Sequence, residues 1–253
     1  MKFSVITTVL EADEKLDRTI KSVRSRYEFE HVVTVARNFP KAEQMAKDLG
    51  WRCRLVSTPG ARVAPGFNEA IRASSSGLVW CLNAGDEAVG VDPLIQILLE
   101  NPEIDMAYGD YNLLGQVIRA KPAPITKATL RWHGMCFSHC SVAYRKNLHD
   151  RFGFYPGEYS NAMDFAFLAL AIVGGARLAY VRKPIALIEP AGISSSLVNR
   201  NLEGMRALLP FTPKPLAYAI LCKWIVFQSA GATLRKWRLR GEPIEASQTA
   251  RVP

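Results

Sequence analysis

Cysteine is sparse and unpaired in this chain. Its five cysteines (Cys53, Cys81, Cys136, Cys140 and Cys222) are odd in number and none stands in a C-x-x-C pair, which excludes a disulfide framework and points to a reducing compartment. Three catalytic signatures are missing as well. No G-x-G-x-x-G follows the first apolar run, no G-x-x-x-x-G-K-[ST] occurs, and there is no G-x-S-x-G elbow. Dinucleotide binding of the Rossmann type, P-loop phosphate binding and the α/β-hydrolase nucleophile thereby lose their main support. Acidic residues are in deficit, with 23 Asp plus Glu against 32 Lys plus Arg and a formal charge of +9, so an anionic neighbour is expected. Nucleic acid is the poorest candidate for it. The basic residues are dispersed, no reading module is present, and aromatics are not interleaved with them before the C-terminal stretch.

What is present is an ordinary globular composition. The chain's 253 residues, 49% hydrophobic and 22% charged, allow one large domain with an appendage. The apolar run Phe3–Val9 stops at Glu11, and Glu11-Ala12-Asp13-Glu14 stands where a signal-peptide cleavage site would be. A buried first strand in a cytosol-facing protein is therefore expected. From there strands and helices alternate. The patterning predicts strands over Phe3–Val9, Phe29–Val35, Cys53–Ser57, Leu78–Leu82 and Asp105–Tyr108, with helices after Asp13 and over Lys41–Leu49, Asn68–Ser74 and Pro93–Glu100. Repeated βα units imply an α/β fold with a mostly parallel central sheet covered on both faces. Beyond Gly109 the expectation is strands at Leu113–Arg119, Ser141–Arg145 and Arg177–Val181, and an apolar helix over Asn161–Val173. Gly, Pro and Ser at Glu189–Ser196 close the domain.

The predicted division is a domain at 1–209 and a helical tail at 210–253. Leu216–Leu234 is apolar with one charge, Lys223, and Arg235-Lys236-Trp237-Arg238-Leu239-Arg240 follows. Such a stretch reads either as an interfacial helix over 216–240, anchored by Trp224 and Trp237 against anionic lipid, or as a helix packed on the core with a solvated basic tip.

Two carboxylates stand out. Asp86 follows the Leu78–Leu82 strand, and open α/β sheets bind ligands beyond the carboxyl ends of their strands. It reads as a ligand for Mg or Mn beside a substrate phosphate, or as a turn residue in Gly85-Asp86-Glu87. Asp164 opens the apolar run Asp164–Ile172. It reads as a general base, whose pKa an apolar setting would lift, or as a helix N-cap near the dipole's positive end. His133-x-x-Cys136-x-x-His139-Cys140 has the look of a zinc cluster, but adjacent His139 and Cys140 would point apart on a strand and no second ligand pair exists. His139 then lines a ligand or is a core histidine. Arg145 and Lys146 either reach phosphate or are solvated.

Four stretches, in order, resemble family 2 glycosyltransferases of the GT-A fold, in the short group used for bacterial polysaccharide and glycolipid assembly. They are Phe3–Val9, Leu82-Asn83-Ala84-Gly85-Asp86-Glu87, Tyr108-Gly109-Asp110 with His139–Arg145, and Gly192-Ile193-Ser194-Ser195. The resemblance implies a nucleotide-diphosphate sugar as donor and a saccharide or lipid-linked acceptor. It places Thr7, Arg62, Asn68, Asn83, Gly85 and Asp86 at the nucleotide sugar, with Asp86 ligating Mn or Mg. His139 falls on the acceptor side and Asp164 becomes the base of an inverting transfer. A cytoplasmic protein, peripheral at the inner face of the cell membrane, follows from it. Two positions depart from the pattern. The family's nucleoside-holding Asp is Val35 here and a second acidic position is Pro65, so the nucleoside is held differently, through Arg37, Arg62 and backbone groups, or the donor is not of the uridine type. Loss of catalysis, leaving a binding or scaffold protein, is the alternative.

Overall fold

Alternating β-branched side chains start the sheet. In the computed structural model, which describes residues 2–11, 13–37, 39–48, 53–58, 63–190, 197–224 and 226, β1 (Phe3–Glu11) lies between β2 (Phe29–Arg37) and β4 (Leu78–Cys81), and β3 (Arg54–Ser57) extends β2. All three pairings are parallel. Their connections are helical: α1 (Glu14–Ser22), α2 (Phe39–Asp48) and α3 (Val63–Ala73). Asp13 starts α1 by accepting the N–H groups of Lys15 and Leu16, which satisfies donors that a first helical turn leaves open.

The second half changes direction. β8 (Val142–Arg145) pairs antiparallel with β4 and with β6 (Met106–Leu113). β9 (Leu178–Ile188) then runs parallel to β6, and β5 (Glu87–Ala88) closes the edge antiparallel to β9. The sheet order is β3-β2-β1-β4-β8-β6-β9-β5, with β7 (Gln116–Ile118) hung on β6. The expected parallel pairing thus holds over β3-β2-β1-β4 and a mixed portion completes the sheet. The strand predicted over Leu113–Arg119 is a hairpin instead. Leu114 and Gly115 both take positive φ, 52° and 74°, and turn β6 back into β7, since such a pair matches the twist of the flanking strands.

Period-two alternation divides the core. Ile6, Val79 and Cys81 face one side, with Phe67 and Phe167; Val5, Trp80 and Leu82 face the other, with Leu94 and Leu98. α4 (Asp92–Glu100) covers that second side. The first side is covered by α3 and by a helical group of α5 (Lys127–His133), α6 (Leu148–Phe152), α7 (Met163–Val173) and α8 (Leu197–Leu208). α7 has apolar side chains nearly all round, which is the pattern of a buried helix.

Residues 214–224 are helical and Ala217, Ile220 and Trp224 join the core, Trp224 only 6% exposed. Its indole packs against Phe165 and over Gly134 and Gly204. That corrects the role of interfacial anchor for Trp224: this part of the tail is a packed helix. The basic cluster 235–240 and Trp237 lie outside the described residues. No helix among the described residues is long and apolar enough to cross a membrane.

Candidate active site

β4, β6 and β9 come together at a short 3-10 turn, His139–Ser141, and several candidate residues gather around it. Ser138 caps that turn by accepting the N–H of Cys140, and the indole N–H of Trp80 donates to the Cys140 carbonyl at 2.9 Å. The turn is thereby fixed to β4 from below.

Asp86 is 4% exposed. Its Oδ2 accepts from Asn83 Nδ2 and from the Cys140 thiol, both at 3.0 Å, and its Oδ1 accepts the backbone N–H of Glu189 at 2.8 Å. Burial pushes the Asp86 carboxyl up; the three hydrogen bonds oppose this in part, and the charge of Glu189 adds to it. Gly85 takes φ +99°, and the Glu189 carboxylate lies over its α-carbon so closely that any side chain would collide with it. Glu189 in turn pairs with Lys15 Nζ at 2.9 Å and Arg18 at 3.6 Å. Loop, turn and strand end are thus joined through one carboxylate.

The expected Mn or Mg site is not assembled among the described residues. A thiol and an amide N–H donate to Asp86 Oδ2 and a peptide N–H to Oδ1, so three of the carboxylate's four lone-pair positions are taken. Among the described residues no group of three or more His, Cys, Asp or Glu side chains could hold a metal ion. The zinc pattern fares the same way, with His133 exposed at the end of α5.

Asp164 lies in the first turn of α7, half-buried, its Oδ1 accepting its neighbour Phe165's N–H at 2.8 Å. It is not the N-cap, which is Ala162. The charges of both carboxylates reach the buried ring of His139. Burial of its ring works to lower its pKa, yet Cys81 and the charges of Asp164 and Asp86 outweigh burial and raise it. Both carboxylates therefore act on one imidazole, on the same side of the molecule.

The remaining expected residues divide. Thr7 is fully buried and its hydroxyl donates to the Leu82 carbonyl at 2.8 Å while meeting His31 Nε2 at 2.9 Å, so it joins strand ends. Asn68 is buried in α3, with both ends of its amide committed to the backbone of Tyr155. Asn83 and Gly85 sit with Asp86. Arg62 and the Gly192–Ser195 stretch lie outside the described residues. Arg37 is exposed at the end of β2, whereas Val35 is buried in the core. Arg145 caps the carboxyl end of α4 by donating to the carbonyls of Leu98, Asn101 and Ile104, and Lys146 donates to Ser74; both are structural, which removes them as phosphate ligands.

Sequence reasoning missed the polar side chains under the site: Tyr144, His149 and Tyr155. Only their clustering in space marks them, because Tyr155 lies in a loop with no motif.

No family model matches the chain, and no curated protein sequence matches it. Solved structures do. The fold is that of GT-A-type glycosyltransferases. Residues 1–349 of S. aureus TarS in complex with UDP superpose with a TM-score of 0.62 at 17% identity, over 89% of this chain and 71% of that one. The corresponding complex with UDP-GlcNAc gives 0.63 at 16%, over 89% and 72%. Glucosyl-3-phosphoglycerate synthase from Mycobacterium tuberculosis, in complex with Mn2+, UDP and glucosyl-3-phosphoglycerate, gives 0.58 at 14%, over 84% and 81%. This chain spans 43% of the longer S. aureus TarS structure.

Proposed function

We propose that this chain is a family 2 glycosyltransferase that moves a sugar from a nucleoside-diphosphate donor to a hydroxyl of a saccharide or lipid-linked acceptor, with inversion. The observation that carries the reading is the buried carboxylate of Asp86 just beyond the end of β4, where α/β sheets bind ligands, with the charge of Asp164 acting on the same His139 ring. The structural relatives, crystallised with UDP, UDP-GlcNAc or UDP with a phosphorylated glycoside, support a nucleotide-sugar donor.

In the mechanism Asp164 takes the proton of the acceptor hydroxyl. The freed oxygen pair forms the new bond to the anomeric carbon while the carbon–oxygen bond to the diphosphate breaks on the opposite face, and the pair leaves on the phosphate oxygen. Lys15 and Arg18, on α1 and paired with Glu189, are cations beside the Gly85–Asp86 turn. They meet the leaving diphosphate when it displaces that carboxylate. Asp86 holds the turn, the His139–Ser141 segment and the end of β9 in register. Exposed Tyr218 and Val226 (69% and 63%) face away from the core and, with the basic stretch beyond, fit a peripheral contact with anionic lipid. Sedimentation with anionic but not neutral vesicles checks it.

The deciding experiment is transfer from a panel of nucleotide sugars by the wild type and by Asp164→Asn. General-base loss is expected to lower kcat by about 10²–10⁴-fold with the donor KM little changed. Unchanged turnover would remove Asp164 from the reaction. Binding without turnover by the wild type would favour the scaffold reading, which the three hydrogen bonds held by the Asp86 carboxylate also support.

A further inference from the structure

Beneath His139 lies a chain of hydrogen bonds whose direction can be worked out atom by atom. His149 Nδ1 is 3.1 Å from the Gly153 carbonyl, which can only accept, so Nδ1 carries the proton. Burial holds the His149 ring neutral, with its pKa pushed down to about 4, and its Nε2 is therefore an acceptor. The Tyr144 hydroxyl, 3.1 Å away, must donate to it. Having one proton, Tyr144 can then only accept from the Tyr155 hydroxyl at 2.8 Å. Tyr155 has spent its own proton in turn and can only accept from His139 Nε2 at 2.9 Å. The Cys81 thiol, 3.5 Å from Tyr155 and 3.6 Å from Tyr144, adds a weak donor that either oxygen has a lone pair to accept.

We propose that Tyr155 is a positioning residue, oriented through Tyr144 and His149, that keeps the proton of neutral His139 on Nε2 and leaves Nδ1 as the ring atom that accepts a hydrogen bond from a hydroxyl of the acceptor other than the one Asp164 deprotonates. Its first half stands on the chain alone; the role toward the acceptor rests on the glycosyltransferase reading. Two observations show that the chain is held in place. Asn68 clamps the Tyr155 peptide from both sides, at 2.8 Å to its carbonyl and 3.0 Å from its N–H. The rings are fixed too, with His149 stacked between Phe154 and Phe167 and Tyr155 packed edge-on to Phe67, Phe167 and His139. The hydrogen bond placed on a His139 ring nitrogen is the one at Nε2, and the Cys81 thiol is a second polar neighbour of the ring. Because Nε2–H donates to Tyr155 whether the ring is neutral or charged, any proton that His139 exchanges is exchanged at Nδ1.

The test is nitrogen NMR of the imidazoles, practicable because the chain has only four histidines, with His139 assigned from a His139→Gln variant. Spectra are taken at a pH where the ring is neutral. The wild type is expected to show His139 protonated at Nε2. Tyr155→Phe, which keeps the ring packing, should give a mixture of both tautomers. Tyr144→Phe should give the opposite shift, because the Tyr155 proton, no longer taken by Tyr144, turns to His139 Nε2 and drives the ring to the Nδ1–H form. A wild-type ring protonated at Nδ1, or one tautomer shared by all three folded proteins, overturns the proposal. If transfer activity exists, Tyr155→Phe should lower kcat about fivefold, the worth of one neutral hydrogen bond, with donor KM unchanged. If it does not exist, the tautomers still decide the chain while the acceptor role falls with the glycosyltransferase reading.

Discussion

Glu203→Gln is the substitution whose outcome the structure constrains most tightly. The Glu203 carboxylate on α8 accepts three peptide N–H groups just ahead of α7, from Ser160 at 3.1 Å, Asn161 at 2.6 Å and Ala162 at 2.9 Å. It therefore pins the start of the helix that presents Asp164. A hydrogen bond to a charged group contributes about 1.5–3 kcal/mol and a neutral one about 1, and a negative charge by a helix N-terminus adds about 0.3–1 kcal/mol. Glutamine keeps one oxygen, loses the charge and turns an amide N–H toward a donor, so the expected net cost is about 2–3 kcal/mol. Burial acts to raise the Glu203 pKa, but the N–H groups of Asn161, Ser160 and Ala162 outweigh it and hold the carboxyl below its usual 4.5. A depressed carboxyl contributes stability above its unfolded pKa and loses it as pH falls through the folded one. Urea unfolding at neutral pH should show the full difference, shrinking as pH drops below about 4.5. A difference under about 0.5 kcal/mol at neutrality, or one that persists in acid, would refute the reasoning.

Other consequences follow from the packing. Gly66→Ala puts a methyl into Thr8 Oγ1, which accepts from Thr34 Oγ1 at 2.9 Å; overpacking of about 1–3 kcal/mol outweighs the helical gain of about 1 kcal/mol, and Thr8→Ala in the same protein should recover most of the loss in a thermal melt. Trp224→Ala, which empties the space between Phe165, Gly134 and Gly204, should cost about 3–5 kcal/mol by denaturant unfolding, whereas a lipid-facing tryptophan would cost almost nothing. Chelation of divalent cations is expected to leave the melting shift produced by a nucleoside diphosphate unchanged; a loss that Mn2+ restores would show Asp86 turning outward to a cation.

Much of the fold was legible because strands and helices alternate with clean periods. Asp13, Leu16 and Ile20 marked α1, and Val5, Val32 and Val79 marked strands buried on both faces. What the sequence hid has physical causes. α3 begins at Val63 rather than Asn68, since Pro65 is tolerated within a first helical turn. β9 runs on from Val181 to Ile188 through Arg182, Lys183 and Pro184, residues that look like a loop but lie beside the irregular register at Gly109–Tyr111, where a strand bends. α5, α6 and α8 are short or polar and gain their stability from packing on α7.

The candidate site was legible in its carboxylates and illegible in what commits them. Asp86 was recognisable from its place after a buried strand, yet nothing local announces that Cys140, fifty-four residues on, and the Glu189 peptide, one hundred and three residues on, donate to it. Those partners turn a residue read as a metal ligand into a junction. The same holds for Asn68, which resembled a donor contact and instead grips Tyr155. Local motifs report which atoms can do chemistry; long-range hydrogen bonds decide which of them are free to. By that measure Asp164 stands apart from the other expected residues. Among the described residues its only hydrogen bond is to its own neighbour's N–H, an arrangement that leaves a carboxylate oxygen for a substrate proton, and a turnover assay of Asp164→Asn beside Asp86→Asn separates the two cases. Loss of rate with normal stability is expected for the first, loss of both for the second, and equal behaviour would mean that internal commitment does not distinguish the reacting carboxylate from the structural one.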